Sequence, residues 1–159
     1  MRHILISNRL TAVRRRRTPL TLESSRDSYR PIEGFMSVKV LIADDAEIMR
    51  RAIKFLLKDL DEITVVGEAA DFPEAIEKMS ELRPDVVVID LHMPDKARAY
   101  GEVESAGGGP RVVAMSFGID ETSNELAERM GASDLIDKME LVEKLIPSIL
   151  QQRSSLRPC

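Results

Sequence analysis

Val86-Val87-Val88-Ile89, closed by Asp85 on one side and Asp90 on the other, is the stretch that decides the fold. All its side chains are β-branched and none of the positions alternates with a polar residue. Such a run reads as a strand covered on both faces, the situation of a parallel sheet between two layers of helices. Helical segments are therefore expected on either side of it, and the neighbouring sequence supplies them.

Upstream, Val38 to Ala43 is a second β-branched run, ending in the pair Asp44-Asp45. From Asp45 to Leu60, Met49, Ala52, Ile53, Leu56 and Leu60 recur at three-and-four spacing, which predicts an amphipathic helix. Ile63 to Gly67 reads as a strand. Asp71 is a helix N-cap, with Pro73 tolerated in the first turn, Glu74 three residues on, and an apolar stripe of Phe72, Ala75, Ile76, Met79 and Leu82. Downstream, Lys96 to Ser105 predicts a short, poorly periodic helix, and Gly107 to Pro110 a loop. The triple glycine precedes a strand, not a helix, so it is no dinucleotide fingerprint. Arg111 to Ser116 is the fourth strand. Ile119, Leu126, Ala127 and Met130 mark a helix ending at Gly131, and Leu135 and Ile136 form the core of a brief fifth strand. The last helix carries Leu141, Leu145 and Ile149 beside Val142, Ile146 and Leu150, with Pro147 off the stripe and expected to kink it without ending it.

Five strand–helix repeats imply an α/β fold, a doubly wound five-stranded parallel sheet in the order 2-1-3-4-5, of the flavodoxin-like kind. In such sheets ligands lie beyond the carboxyl ends of strands 1 and 3.

The chain has 159 residues and one cysteine, Cys159, so no intramolecular disulfide or cysteine metal cluster can form. No run approaches the roughly 18 to 20 apolar residues that span a bilayer, so no membrane insertion is expected and a cytoplasmic location is the default. The net charge of −4 conceals a division: residues 1–35 carry eight arginines against three acids. That leader lacks periodicity, is broken by Pro19 and Pro31, and reads as disordered. Arg14 to Arg17 fit nucleic-acid contact, localisation or a transit peptide, but a solvated run with no specific role is the favoured reading. Met36, followed by Ser37-Val38-Lys39, reads as an alternative start that leaves 1–35 untranslated. The domain is then 36–152, and 153–159 a tail too short for a DNA-binding unit.

Asp44 and Asp45 end the first strand and Asp90 ends the third. Adjacent strands lie about 4.8 Å apart, so these carboxylates converge. Like charges 4 Å apart repel by about 4 kcal/mol at an effective dielectric of 20, so the trio needs a cation. Oxygen-only ligands at a wet rim suit Mg²⁺. Ser116 ends the fourth strand and Lys138 follows the fifth. A carboxylate nucleophile, a divalent ion, a hydroxyl and an ammonium around one point are what phosphoryl transfer to an aspartate requires.

With these residues assembled, Val38 to Gln152 resembles the receiver domain of bacterial two-component response regulators, the chemotaxis receiver among them. The resemblance rests on VLIADDAEIMRR (Val40 to Arg51), VVVIDLHMP (Val86 to Pro94), VVAMS (Val112 to Ser116) and GASDLIDK (Gly131 to Lys138). It implies Asp90 as phosphoacceptor, Asp45 as a direct Mg²⁺ ligand, Asp44 acting through a water, and the His92 backbone carbonyl completing the metal contacts. Ser116 would then hydrogen-bond the phosphoryl group and Lys138 pair with its charge. The implied partners are a sensor histidine kinase or histidine phosphotransfer protein and a downstream protein target. The expected function is that of a single-domain response regulator, a phosphoacceptor and not an enzyme on other substrates; the alternative is an adaptor of this fold that binds its partner without phosphorylation. The sequence departs from the family pattern at Leu135, where many members carry an aromatic switch residue, at Phe117, where a small residue is usual, and at Met139, where many have proline. Ser116, Phe117 and Leu135 are accordingly the expected switch positions.

Overall fold

A computed structural model of the chain describes residues 36–94 and 109–151. The leader, the helix expected at Lys96 to Ser105 and the C-terminal tail lie outside the described residues. Within them the chain runs β1 (Val38–Ala43), α1 (Glu47–Leu57), β2 (Ile63–Ala69), α2 (Phe72–Leu82), β3 (Val86–Asp90), β4 (Arg111–Ser116), α3 (Glu121–Arg129), β5 (Asp134–Asp137), a short 3-10 turn (Lys138–Glu140) and α4 (Leu141–Gln151). All pairings are parallel, and the strand order is β2-β1-β3-β4-β5, as the sequence predicts. Among the described residues no helix is long and apolar enough to cross a membrane.

β3 is buried along its whole length, and its side chains alternate between two cores. Val86 and Val88 face one layer with Ile53, Leu57, Leu145 and Ile149, the buried lanes of α1 and α4. Val87 and Ile89 face the other, with Phe72 and Ala75 of α2 and Ala127 of α3. Each such valine, leucine or isoleucine removed from water contributes about 1.5 to 3 kcal/mol, so the central strand is pinned from both sides. Between β1 and β2 the register slips after Val40, leaving Val66 as an extra residue, and the next position is Gly67. A Cβ on Gly67 would meet Leu82 Cδ1 at 2.7 Å, so glycine is what lets α2 close on the sheet.

Several boundaries differ from the sequence expectation, each for a local reason. α1 begins at Glu47, because Asp44 Oδ1 accepts from the Ala46 backbone N–H at 2.9 Å and turns the chain before the helix starts. Its buried lane includes Leu57, whereas Ala52 is exposed. β2 continues to Ala69, whose carbonyl accepts from the Asp44 N–H at 3.1 Å. Ile119 stays outside α3 and exposed, since Asp120 and Ser123 form a capping box that starts the helix after it. Asp71 caps α2 by accepting from the Glu74 N–H, and Gly131 takes φ +63° beyond α3, both as expected. α4 runs through Pro147 to Gln151; of its two apolar lanes, Leu141, Leu145 and Ile149 are buried while Val142 is 71% exposed.

Candidate metal and phosphoryl site

The parallel sheet brings the ends of β1, β3, β4 and β5 to one edge. Asp44, Asp45 and Asp90 each offer a carboxylate oxygen there, and these atoms lie within 4.8 Å of one another. Asp44 and Asp90 are buried, and Asp45 is exposed to solvent. The buried Lys138 side chain reaches between the first two, its Nζ 2.7 Å from Asp44 Oδ2 and 2.8 Å from Asp90 Oδ2. Burial works to lower the pKa of this ammonium, but Asp44 and Asp90 outweigh it, so the group stands above the ordinary lysine value of 10.5 and is charged at neutral pH.

Backbone and side-chain donors together hold the oxygens that remain. The His92 N–H donates to Asp90 Oδ1 at 2.9 Å, and the Asp44 carbonyl accepts from Arg50 Nη1 at 2.6 Å. Ser116 is buried at the end of β4, and its Oγ lies 3.1 Å from His92 Nε2 in hydrogen-bond contact. The Phe117 ring is exposed and stands over Lys138 Nζ, 4.9 Å from ring centroid to nitrogen, within cation–π range. Leu135 is half-buried and packs against the core on the α2 and α3 side. The carboxylates of Asp44, Asp45 and Asp90, the Ser116 hydroxyl, the Lys138 ammonium and the Phe117 ring thus lie at this edge, whereas Leu135 packs against the core.

The donor set fits a hard divalent cation. It consists of oxygens alone, one carboxylate faces water, and the fully buried Asp44 Oδ2 is balanced by the Lys138 ammonium. The contacts of Arg50 with Asp44 and of His92 with Ser116 were not anticipated. The only signal for the first was that Arg50 lies on the polar face of α1 about one turn in, above the acidic pair.

A parallel sheet in the order 2-1-3-4-5 with clustered carboxylates, a hydroxyl and a lysine at one edge is the layout of a receiver. The chain belongs to the response regulator receiver domain family, whose model matches residues 40–150. Among curated proteins it is 39% identical over 106 residues to a protein-glutamate methylesterase/protein-glutamine glutaminase of Alkalilimnicola ehrlichii, covering 65% of this chain and 27% of that one. It is 34% identical over 122 residues to the protein of the same description from Methanococcoides burtonii, covering 75% and 32%. The chain therefore spans about a third of the length of these relatives. Of solved structures, the response regulator domain of Thermotoga maritima CheB superposes with a TM-score of 0.66 at 29% identity, covering 77% of this chain and 100% of that one. The signal receiver domain of the putative response regulator NarL from Mycobacterium tuberculosis gives 0.61 at 26%, covering 72% and 97%.

Proposed function

We propose that the chain is a phosphoacceptor: Asp90 takes a phosphoryl group from a phosphohistidine of a sensor histidine kinase or phosphotransfer protein, and the product is read by protein contact. The observation that carries this reading is the position of Asp90, buried beside Lys138 with one oxygen fixed by the His92 N–H. In the transfer, the donor's N–P bond breaks as a P–O bond forms to an Asp90 carboxylate oxygen, and the imidazole leaves with the electron pair and takes up a proton. Little covalent work falls to the protein beyond positioning and charge balance.

Asp45, Asp90 and the His92 carbonyl would hold Mg²⁺, with Asp44 contributing through a water. When bound, the ion supplies neutralisation of the phosphoryl oxygens. Lys138, already charged and placed between two carboxylates, pairs with the charge that phosphorylation adds, and Ser116 turns its hydroxyl from His92 to a phosphoryl oxygen. The downstream target we propose is a catalytic unit of the class of the curated relatives, a protein-glutamate methylesterase or glutaminase, in the same polypeptide or another.

The test is incubation with Mg²⁺ and acetyl phosphate, read by intact mass. The wild type gains one phosphoryl group and Asp90→Asn gains none. A wild type that stays unlabelled favours the phosphorylation-independent adaptor, and an equally labelled Asp90→Asn removes Asp90 from the role.

A further inference from the structure

The expected site residues leave one half-buried charge at this edge without a role. Arg50 is on α1, its side chain only 16% exposed, and its guanidinium bridges two elements. Nη1 donates to the Asp44 carbonyl at 2.6 Å, while Nε lies 3.4 Å from Glu68 Oε2 on β2. Glu68 is itself fixed: its other oxygen meets Lys54 Nζ at 2.5 Å, and its carbonyl accepts from Lys78. Lys78 also pairs with Glu74 at 2.6 Å, and Glu74 accepts from the Ala70 N–H at 2.8 Å. The guanidinium is thus anchored at its far side by a network that ties α1 and α2 to the end of β2.

We infer that Arg50 is a positioning residue for Asp45, acting through the peptide that joins Asp44 to Asp45. The inference rests on the phosphoacceptor reading above. The atoms from Cα of Asp44 to Cα of Asp45 share one plane, because the peptide bond resists rotation. The Asp44 N–H belongs to the preceding peptide plane and is held by the Ala69 carbonyl, which fixes Cα of Asp44; the grip of Arg50 on the Asp44 oxygen then sets the rotation of the following plane about that Cα. The Cα of Asp45, the exposed carboxylate of the trio, is carried by that plane and not by packing of its own side chain. Serving an oxygen and a carboxylate from two nitrogens in a fixed fork is a task for arginine; the single ammonium of lysine cannot divide itself between them.

Charge and positioning predict opposite signs, which makes the inference testable. Deleting a cation near three carboxylates should tighten divalent binding if charge were all that Arg50 supplies. Loss of positioning should weaken it. Arg51 is the control for charge, being 68% exposed and paired with Glu47 at 2.6 Å. Full-length wild type, Arg50→Ala, Arg50→Lys and Arg51→Ala are titrated with Mg²⁺, and the amide shifts of Asp45 and His92 are followed by NMR, with amide dispersion reporting the fold. We expect both Arg50 variants to bind Mg²⁺ about tenfold more weakly, the scale on which losing a partner that orients a metal ligand is felt. Arg51→Ala should bind as well as the wild type or better. Should Arg50→Ala fail to fold, Arg50→Lys, which keeps the charge, decides. Wild-type affinity in Arg50→Lys, tighter binding in Arg50→Ala, or equal weakening in Arg51→Ala each overturns the inference. A wild type that binds no Mg²⁺ overturns the phosphoacceptor reading and this inference with it.

Discussion

Lys138 holds the only positive charge in contact with both buried carboxylates among the described residues, and its side chain is 2% exposed. Replacing it with methionine keeps the length and the apolar stem but leaves Asp44 and Asp90 facing each other without a counter-charge. Removing one partner of a buried pair costs about 3 to 5 kcal/mol, so Lys138→Met should lose stability on that scale in metal-free buffer. Urea melts check this, and adding Asp44→Asn to the variant should restore part of the loss. A Lys138→Met protein as stable as the wild type would mean the carboxylates are already discharged by other means. At this scale the arrangement was legible because Asp90 and Ser116 end strands and Asp44 and Lys138 directly follow one, so topology alone brought them together. The contact between His92 and Ser116 was not, since it joins positions 24 apart and depends on side-chain rotamers that no periodicity records.

The elements carry their own tests. α2 ends at Arg83, whose φ of 46° is left-handed and the sole positive value at a non-glycine among the described residues. A side chain pays roughly 1 to 2 kcal/mol there, against which glycine loses more chain entropy, so Arg83→Gly should gain about 0.5 to 1 kcal/mol. The denaturant midpoint should rise with an unchanged slope, whereas Arg83→Ala should gain nothing. At the end of β2, the Lys54 hydrogen bond holds the Glu68 carboxyl below its usual value of 4.5, with burial opposing and Arg50 assisting. A depressed folded-state value contributes stability that is full above the unfolded value and lost as pH falls through the folded one. The stability difference between wild type and Glu68→Gln should therefore shrink as the pH falls from above 4.5 through the lowered folded-state value, and a constant difference would show that Glu68 works by packing instead. The strands were legible in outline because β-branched runs stand out; the start of α1 was not, because Asp44 spends its side chain on the Ala46 N–H. Period alone gives α4 two apolar lanes without ranking them: packing against the sheet buries Leu141, Leu145 and Ile149, half-buries Ile146 and Leu150, and leaves Val142 exposed.

At the scale of the whole molecule, phosphorylation is expected to act on the loops after β4 and β5 together, since under the proposed mechanism Ser116 and Lys138 would both turn toward the new charge. Phe117, whose ring covers Lys138, is the side chain placed to transmit that shift, and no aromatic at Leu135 is needed. Hydrogen exchange with and without beryllofluoride should change over Phe117 to Met130 and Asp134 to Lys144. Changes confined to α1 and β2 would place the output face elsewhere. The same sheet that gathers the site at one end also leaves two flanks, β2 and β5, each bonded on one side only among the described residues. Unpaired backbone on such a flank is a template on which another chain can add a strand. β5 offers four residues with an aspartate at each end, and β2, though longer, is kinked at Val66 and carries the charged Glu68. Both flanks are thus poor seeds for strand-by-strand aggregation, a protection that rests on the bulge at Val66 and the acids at Glu68, Asp134 and Asp137.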